Sequence, residues 1–115
     1  MSVAWTTPGK VSVLCDGAYG STGKGLAAAW LADQTDNPIH VATANSGANA
    51  GHSTRYKDGR SFVCYHLPTS AVVRHCDAYI NAGAIIDVDL LEREVAACKF
   101  DPRFMTVDPR ASIIT

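Results

Sequence analysis

The chain has 115 residues, 47% of them hydrophobic and 18% charged, with ten basic and eleven acidic residues giving a formal charge of −1. This composition excludes a disordered tail or a fibre, and the balanced charge excludes nucleic-acid binding through a general polyanion attraction. No apolar run reaches the ~20 residues of a membrane span, and "MSVAWTTPGK" lacks the basic region and apolar core of a secretory signal.

The first predicted element is a buried strand, "VSVLC" (residues 11–15), a β-branched run bounded by Pro8-Gly9 and Asp16-Gly17. A glycine-rich loop follows, and "GLAAAWLADQ" predicts a helix from about Lys24 to Asp33, stopped at Asp36-Asn37-Pro38. "IHVATA" (39–44) predicts a second strand, which makes the opening a strand–helix–strand unit with a parallel pair. "NSGANAGHS" (45–53) is a second loop of small residues. "TRYKDGRSFVCYHL" predicts a hairpin turning at Asp58-Gly59. "AYI" leads to a break at Asn81-Ala82-Gly83. "DVDLLEREVAAC" predicts a helix with Val88, Leu91, Val95 and Cys98 on one face, capped by Asp87 or by Asp89 with Glu92. "RFMTV" and "SIIT" predict strands or strand edges.

The expected fold is therefore α/β: a mostly parallel sheet with flanking helices, a β-hairpin insertion, and a P-loop-like glycine loop after the first strand. Residues 1–115 read as part of one domain, with no linker and no repeats. Cys15, Cys64, Cys76 and Cys98 form no CxxC pair and sit in apolar surroundings, so buried reduced thiols are expected rather than disulfides or a zinc site.

Two loops carry the chemistry. "DGAYGSTGKG" runs from the first predicted strand into a helix N-terminus, where unpaired N–H groups and a positive partial charge meet a lysine, Lys24. Glycines there let main chain curl round an anion. The loop fails the Walker A pattern twice, with Ala18 at the first glycine and Gly25 at the magnesium-binding hydroxyl. A ligand-free glycine turn is the plain alternative, and the flanking strand and helix favour a phosphate cradle. The second loop offers Asn45, Ser46, Gly47, Asn49, Gly51 and the titratable His52. If the two predicted strands are neighbours, both loops reach the same carboxyl edge of the sheet, where open α/β sheets bind ligands. There His52 could meet a phosphate as general acid or as a stabiliser of developing charge. His66 reads as structural, and His40 and His75 receive no role.

Three segments, "GAYGSTGKG", "NAGHS…YHLPTSAV" and "INAGAIIDVDLLEREV", are similar in order and spacing to the N-terminal third of adenylosuccinate synthetases. The resemblance spans residues 11–115. It implies a ligase of purine nucleotide biosynthesis that joins L-aspartate to the 6-position of a purine nucleotide monophosphate. A nucleoside triphosphate first phosphorylates the 6-oxygen, with Mg²⁺ present. By the resemblance, Gly20, Ser21, Thr22, Gly23, Lys24, Gly25 and Leu26 would wrap the triphosphate, together with Gly51, His52 and Ser53. Asn49, Ala50, Gly51 and Ser21 would face the acceptor nucleotide. The Gly51 carbonyl and Ser21 would serve the metal, and His52, Ser21 and Lys24 would carry catalysis. Ser21 stands where the family has an aspartate that takes the N1 proton of the base and ligates magnesium, Thr22 where it has glutamate, and Leu26 where it has lysine. A serine is a far weaker base than a carboxylate.

"GSTGKGL" with "NAGH" resembles the phage 2-aminoadenylosuccinate synthetase branch, which uses dGMP as acceptor and accepts ATP or dATP as donor; GTP is the usual family donor. The smaller Ser21 could leave room for a guanine 2-amino group. An IMP-using synthetase with an atypical loop, a non-catalytic nucleotide-binding module and a small P-loop-like ATPase or kinase stay open. The resemblance also implies a homodimer at full length, a cytoplasmic setting (the host's for a phage protein), no nucleic-acid or membrane partner, and a longer chain of which these residues are the first part.

Overall fold

The structure, a computed structural model, describes residues 6–18, 20, 22–45, 47–56 and 58–115. Helix α1 (Lys24–Gln34) comes first, then strand β1 (Val41–Ala44) and the antiparallel hairpin of β2 (His52–Arg55) and β3 (Ser61–Cys64). A short helix α2 (Thr69–Arg74) leads into β4 (Asp77–Ile80), then β5 (Ile85–Ile86) and helix α3 (Val88–Ala97). A 3₁₀ turn at Pro102–Phe104, β6 (Met105–Val107) and β7 (Ser112–Ile113) complete the order. The central sheet is parallel and runs β1–β4–β6, with Ala42 opposite Ala78 and Tyr79 opposite Thr106. β5 and β7 form a separate parallel pair.

The expected α/β class, parallel sheet and hairpin insertion are all present. α1 covers the predicted helix and one residue more. The hairpin turns at Asp58-Gly59, where Gly59 takes a φ of +91°. Its strands are held by an edge-on contact of Tyr56 with Phe62 (ring centroids 4.8 Å apart) and by the Arg60 guanidinium over Tyr56. Asp87, not Asp89, caps α3, its carboxylate accepting the Leu90 N–H at 3.0 Å.

The expected strand at 11–15 does not form. Val11, Val13 and Leu14 are largely exposed, at 88%, 76% and 40%, and this stretch has no ladder partner among the described residues. It lies across a cleft from β1 rather than against it. A β-branched run favours extended backbone, but a strand also needs a neighbouring strand to share a ladder with. The strand–helix–strand opening therefore reduces to helix and strand, and the parallel neighbour of β1 is β4, reached through the hairpin and α2. The expectation for Cys15 fails with it: Cys15 is exposed, whereas Cys64, Cys76 and Cys98 are free and buried.

The core lies between α2, β4 and α3, built from Leu67, Val72, Ala78, Ile80, Ile86, Leu91 and Phe100. Cys64 and Cys98 meet there with their sulfurs 4.0 Å apart. The Cys98 thiol beside it and burial together push the Cys64 thiol up, so it stays protonated. α1 docks on α2 through small residues, Ala29 and Ala32, and its C-terminus is tied down by Arg74, which donates to the carbonyls of Thr35 and Asn37.

One buried charge organises the passage from hairpin to α2. Glu94, 5% exposed on α3, accepts the Leu67 N–H at 2.7 Å and the His66 N–H at 3.0 and 3.2 Å. His66 itself is buried, and its Nε2 accepts the Asp87 N–H at 3.3 Å, which gives it the structural place its sequence context predicted.

Candidate functional site

The first loop reaches α1 through Gly20 and Gly23, with φ of +93° and +82°. A side chain at either would meet open space, so both glycines serve backbone conformation alone. Gly23 is the N-cap of α1 and supplies no side-chain cap, and the first helical turn carries no acidic residue. The leading N–H groups of α1 thus face outward with the dipole's positive end and Lys24 beside them. Thr22 and Leu26 are exposed. Ser21 lies outside the described residues, so its expected roles in catalysis, substrate binding and metal binding find no geometry here.

A carboxylate that the loop patterns did not single out stands at the start of this loop. Asp16 accepts a hydrogen bond from the Thr22 hydroxyl and pairs with the Lys24 ammonium. Lys24, and Thr22 next, hold the Asp16 carboxyl below its ordinary range. The only hint in the sequence was its position at the mouth of the loop, where it read as a turn residue before Gly17.

The second loop leaves the carboxyl end of β1. Its backbone turns with the Ala50 N–H bonding the Gly47 carbonyl at 3.1 Å, and Gly47 bridges to Ile85. The Asn45 amide lies over Gly83, in the turn that follows β4, leaving no space there for a Cβ. Loops after two parallel strands therefore meet at one sheet edge. Asn49 and Ala50 are exposed at its tip. Gly51 sits against Val63 and Tyr65, where a Cβ would come within 3.0 and 3.1 Å of them. His52 opens β2 opposite Cys64, and Ser53 follows it on the exposed side.

The two loops converge. Lys24, Gly25, Asn45, Gly47, Ala50 and His52 all line one cleft of about 900 Å³. α1 packs on β2 so closely that a Cβ on Gly25 would stand 2.4 Å from the His52 Cβ. Leu26, Asn49, Gly51 and Ser53 do not line that cleft.

The family model described as adenylosuccinate synthetase matches residues 13–115. The chain belongs to the adenylosuccinate synthetase family. The N6-succino-2-amino-2'-deoxyadenylate synthase of Salmonella phage PMBT28 is 39% identical over 90 residues, covering 77% of this chain and 24% of that protein. The adenylosuccinate synthetase of Archaeoglobus fulgidus is 31% identical over 103 residues, covering 90% of this chain and 30% of that protein. The solved succinoaminodeoxyadenylate synthetase of cyanophage S-2L, bound to dGMP and dATP, superposes with a TM-score of 0.67 at 32% identity over 84% of this chain and 27% of that one. The chain thus spans roughly a quarter of the length of these relatives. No helix among the described residues is long and apolar enough to cross a membrane.

Proposed function

We propose that this chain forms the phosphate-handling part of a ligase that joins L-aspartate to carbon 6 of a purine nucleotide monophosphate, with dGMP the favoured acceptor and ATP, dATP or GTP the donor. The observation that carries the reading is the meeting of Lys24 and His52 on one cleft, through the contact of Gly25 with His52. The γ-phosphoryl group passes to the purine 6-oxygen and releases the diphosphate. The aspartate amine then takes carbon 6 and expels inorganic phosphate.

In this scheme the leading N–H groups of α1 and Lys24 neutralise the triphosphate, and His52 stabilises or protonates the transferring phosphate. Asn49, Ala50 and Gly51 face the acceptor. Mg²⁺ on a nucleotide needs few protein ligands beyond the phosphates themselves. Asp16 and the Gly51 carbonyl are hard oxygen donors of the right chemistry, and Asp16 is a carboxylate already in contact with the loop through Thr22 and Lys24. When bound, the metal would draw charge from the phosphates. The dGMP preference is supported by the two phage relatives and by the sequence, which carries a smaller residue, Ser21, where the family has aspartate. A homodimer acting in the cytoplasm belongs to the same proposal.

Titration calorimetry of the chain with ATP, GTP, dGMP and IMP tests the reading. Binding of a triphosphate together with dGMP is the expected result, and Lys24→Ala should weaken triphosphate binding by roughly 1.5–3 kcal/mol. An unchanged affinity in that variant removes Lys24 from the site, and a preference for IMP overturns the dGMP assignment. The loss of a loop carboxylate at Ser21 favours one second reading, a non-catalytic nucleotide-binding module, which would bind triphosphate alone and hydrolyse none.

A further inference from the structure

Gly25 differs from the other loop glycines. It lies inside α1 with helical backbone, so no unusual φ calls for glycine there, and alanine would favour the helix. The demand comes from outside the helix. A Cβ at Gly25 would stand 2.4 Å from the His52 Cβ, 3.0 Å from its Cγ and 3.3 Å from its Nδ1. The imidazole base of His52 therefore rests directly on the Gly25 Cα. The same residue is held from its other side. The buried Thr69 hydroxyl, at the start of α2, donates to the Gly25 carbonyl at 2.7 Å, and the Ser70 hydroxyl donates to the Ala28 carbonyl one turn on.

We infer that Gly25 and Thr69 are positioning residues: the bare Gly25 Cα is the seat that sets His52 against the phosphate loop, and the Thr69 hydroxyl fixes that seat by gripping the Gly25 carbonyl. The inference rests on the triphosphate reading above for its purpose, but the contact it describes is independent of that reading. Gly20 and Gly23 shape the cradle, whereas Gly25 sets the distance between the cradle and the imidazole. Because Gly25 follows Lys24 directly, any shift of the seat moves ammonium and imidazole relative to each other.

The test follows the His52 ring by NMR through a pH titration of the chain, with and without inorganic tripolyphosphate. In the native chain the anion should raise the His52 midpoint, since a nearby negative charge favours imidazolium. At saturating tripolyphosphate, Gly25→Ala should lose at least half of that rise; Thr69→Val should lose part of it. A full rise in Gly25→Ala overturns the positioning role of Gly25, and a full rise in Thr69→Val overturns that of Thr69. A thermal cycle keeps the question open to refutation if an anion does not bind. Gly25→Ala should lower the melting midpoint in the native background but not beside His52→Gly, where the displaced Cβ finds room. Equal losses in both backgrounds overturn the contact itself. Absence of tripolyphosphate binding to the native chain refutes the triphosphate reading, and the thermal cycle alone then decides the seat.

Discussion

Replacing Glu94 by alanine should cost a large share of the chain's stability. The carboxylate is buried and accepts the N–H groups of His66 and Leu67, whose residues are 2% and 1% exposed. Without it neither donor has a partner. An orphaned buried donor costs about 1–3 kcal/mol, so the pair costs roughly 2–6 kcal/mol. A domain of this size holds about 6–17 kcal/mol in total, which makes the loss a large share. Glu94→Gln keeps one acceptor oxygen and should lose only about 1–2 kcal/mol. Urea unfolding followed by circular dichroism, with a shared slope for all variants, reads both. A loss under about 1 kcal/mol in Glu94→Ala would refute the account of the His66–Leu67 turn as one braced by a buried anion. Should that variant fail to fold, Glu94→Gln carries the test alone.

With Mg²⁺ absent, Asp16→Asn frees Lys24 and removes a negative charge from the loop, so triphosphate should bind about two- to fivefold tighter by calorimetry; unchanged or weaker metal-free binding would refute the pairing of Asp16 with Lys24 as a brake on the loop. Arg110, and Tyr79 next through a 2.7 Å bond, hold the Asp108 carboxyl far below its ordinary range. The stability this supplies is complete above the unfolded value near ~3.9 and is lost as the pH falls toward the depressed folded value, so Tyr79→Phe should unfold at a higher pH during acid titration. An unchanged acid midpoint would remove Tyr79 from that balance. A thiol reagent should label Cys15 at once and Cys64, Cys76 and Cys98 only after unfolding, because only Cys15 is exposed. Rapid labelling of more than one thiol contradicts the packing of the core.

Periodicity and turn chemistry showed α1, α3 and the hairpin because each carries its own signal: a proline stop, an aspartate cap and an Asp58-Gly59 turn. α2 escaped notice. Six residues are too few for a helical period, and Pro68 at its N-cap position supplies no side-chain cap. The opposite error befell residues 11–15, whose β-branched run declared a strand that only a neighbouring chain edge could have completed. In the site, Lys24 and His52 were legible because each stands in a loop of glycines and small residues. Asp16 was not, since its pairing with Lys24 spans eight positions and depends on how the loop closes. Gly25 was visible as a failure of the Walker pattern and, by the family resemblance, as one of the residues round the triphosphate. Its reason, the nearness of His52, is a tertiary fact no spacing records.

The described residues from Asp16 to Gly23 are all exposed, while the buried core gathers around α2, β4 and α3. Mutations in the cradle therefore disturb little that keeps the chain folded. Such a layout lets the loop accept point changes while the buried scaffold stays intact, so substitutions at this rim can be read for what they do to the loop rather than to folding.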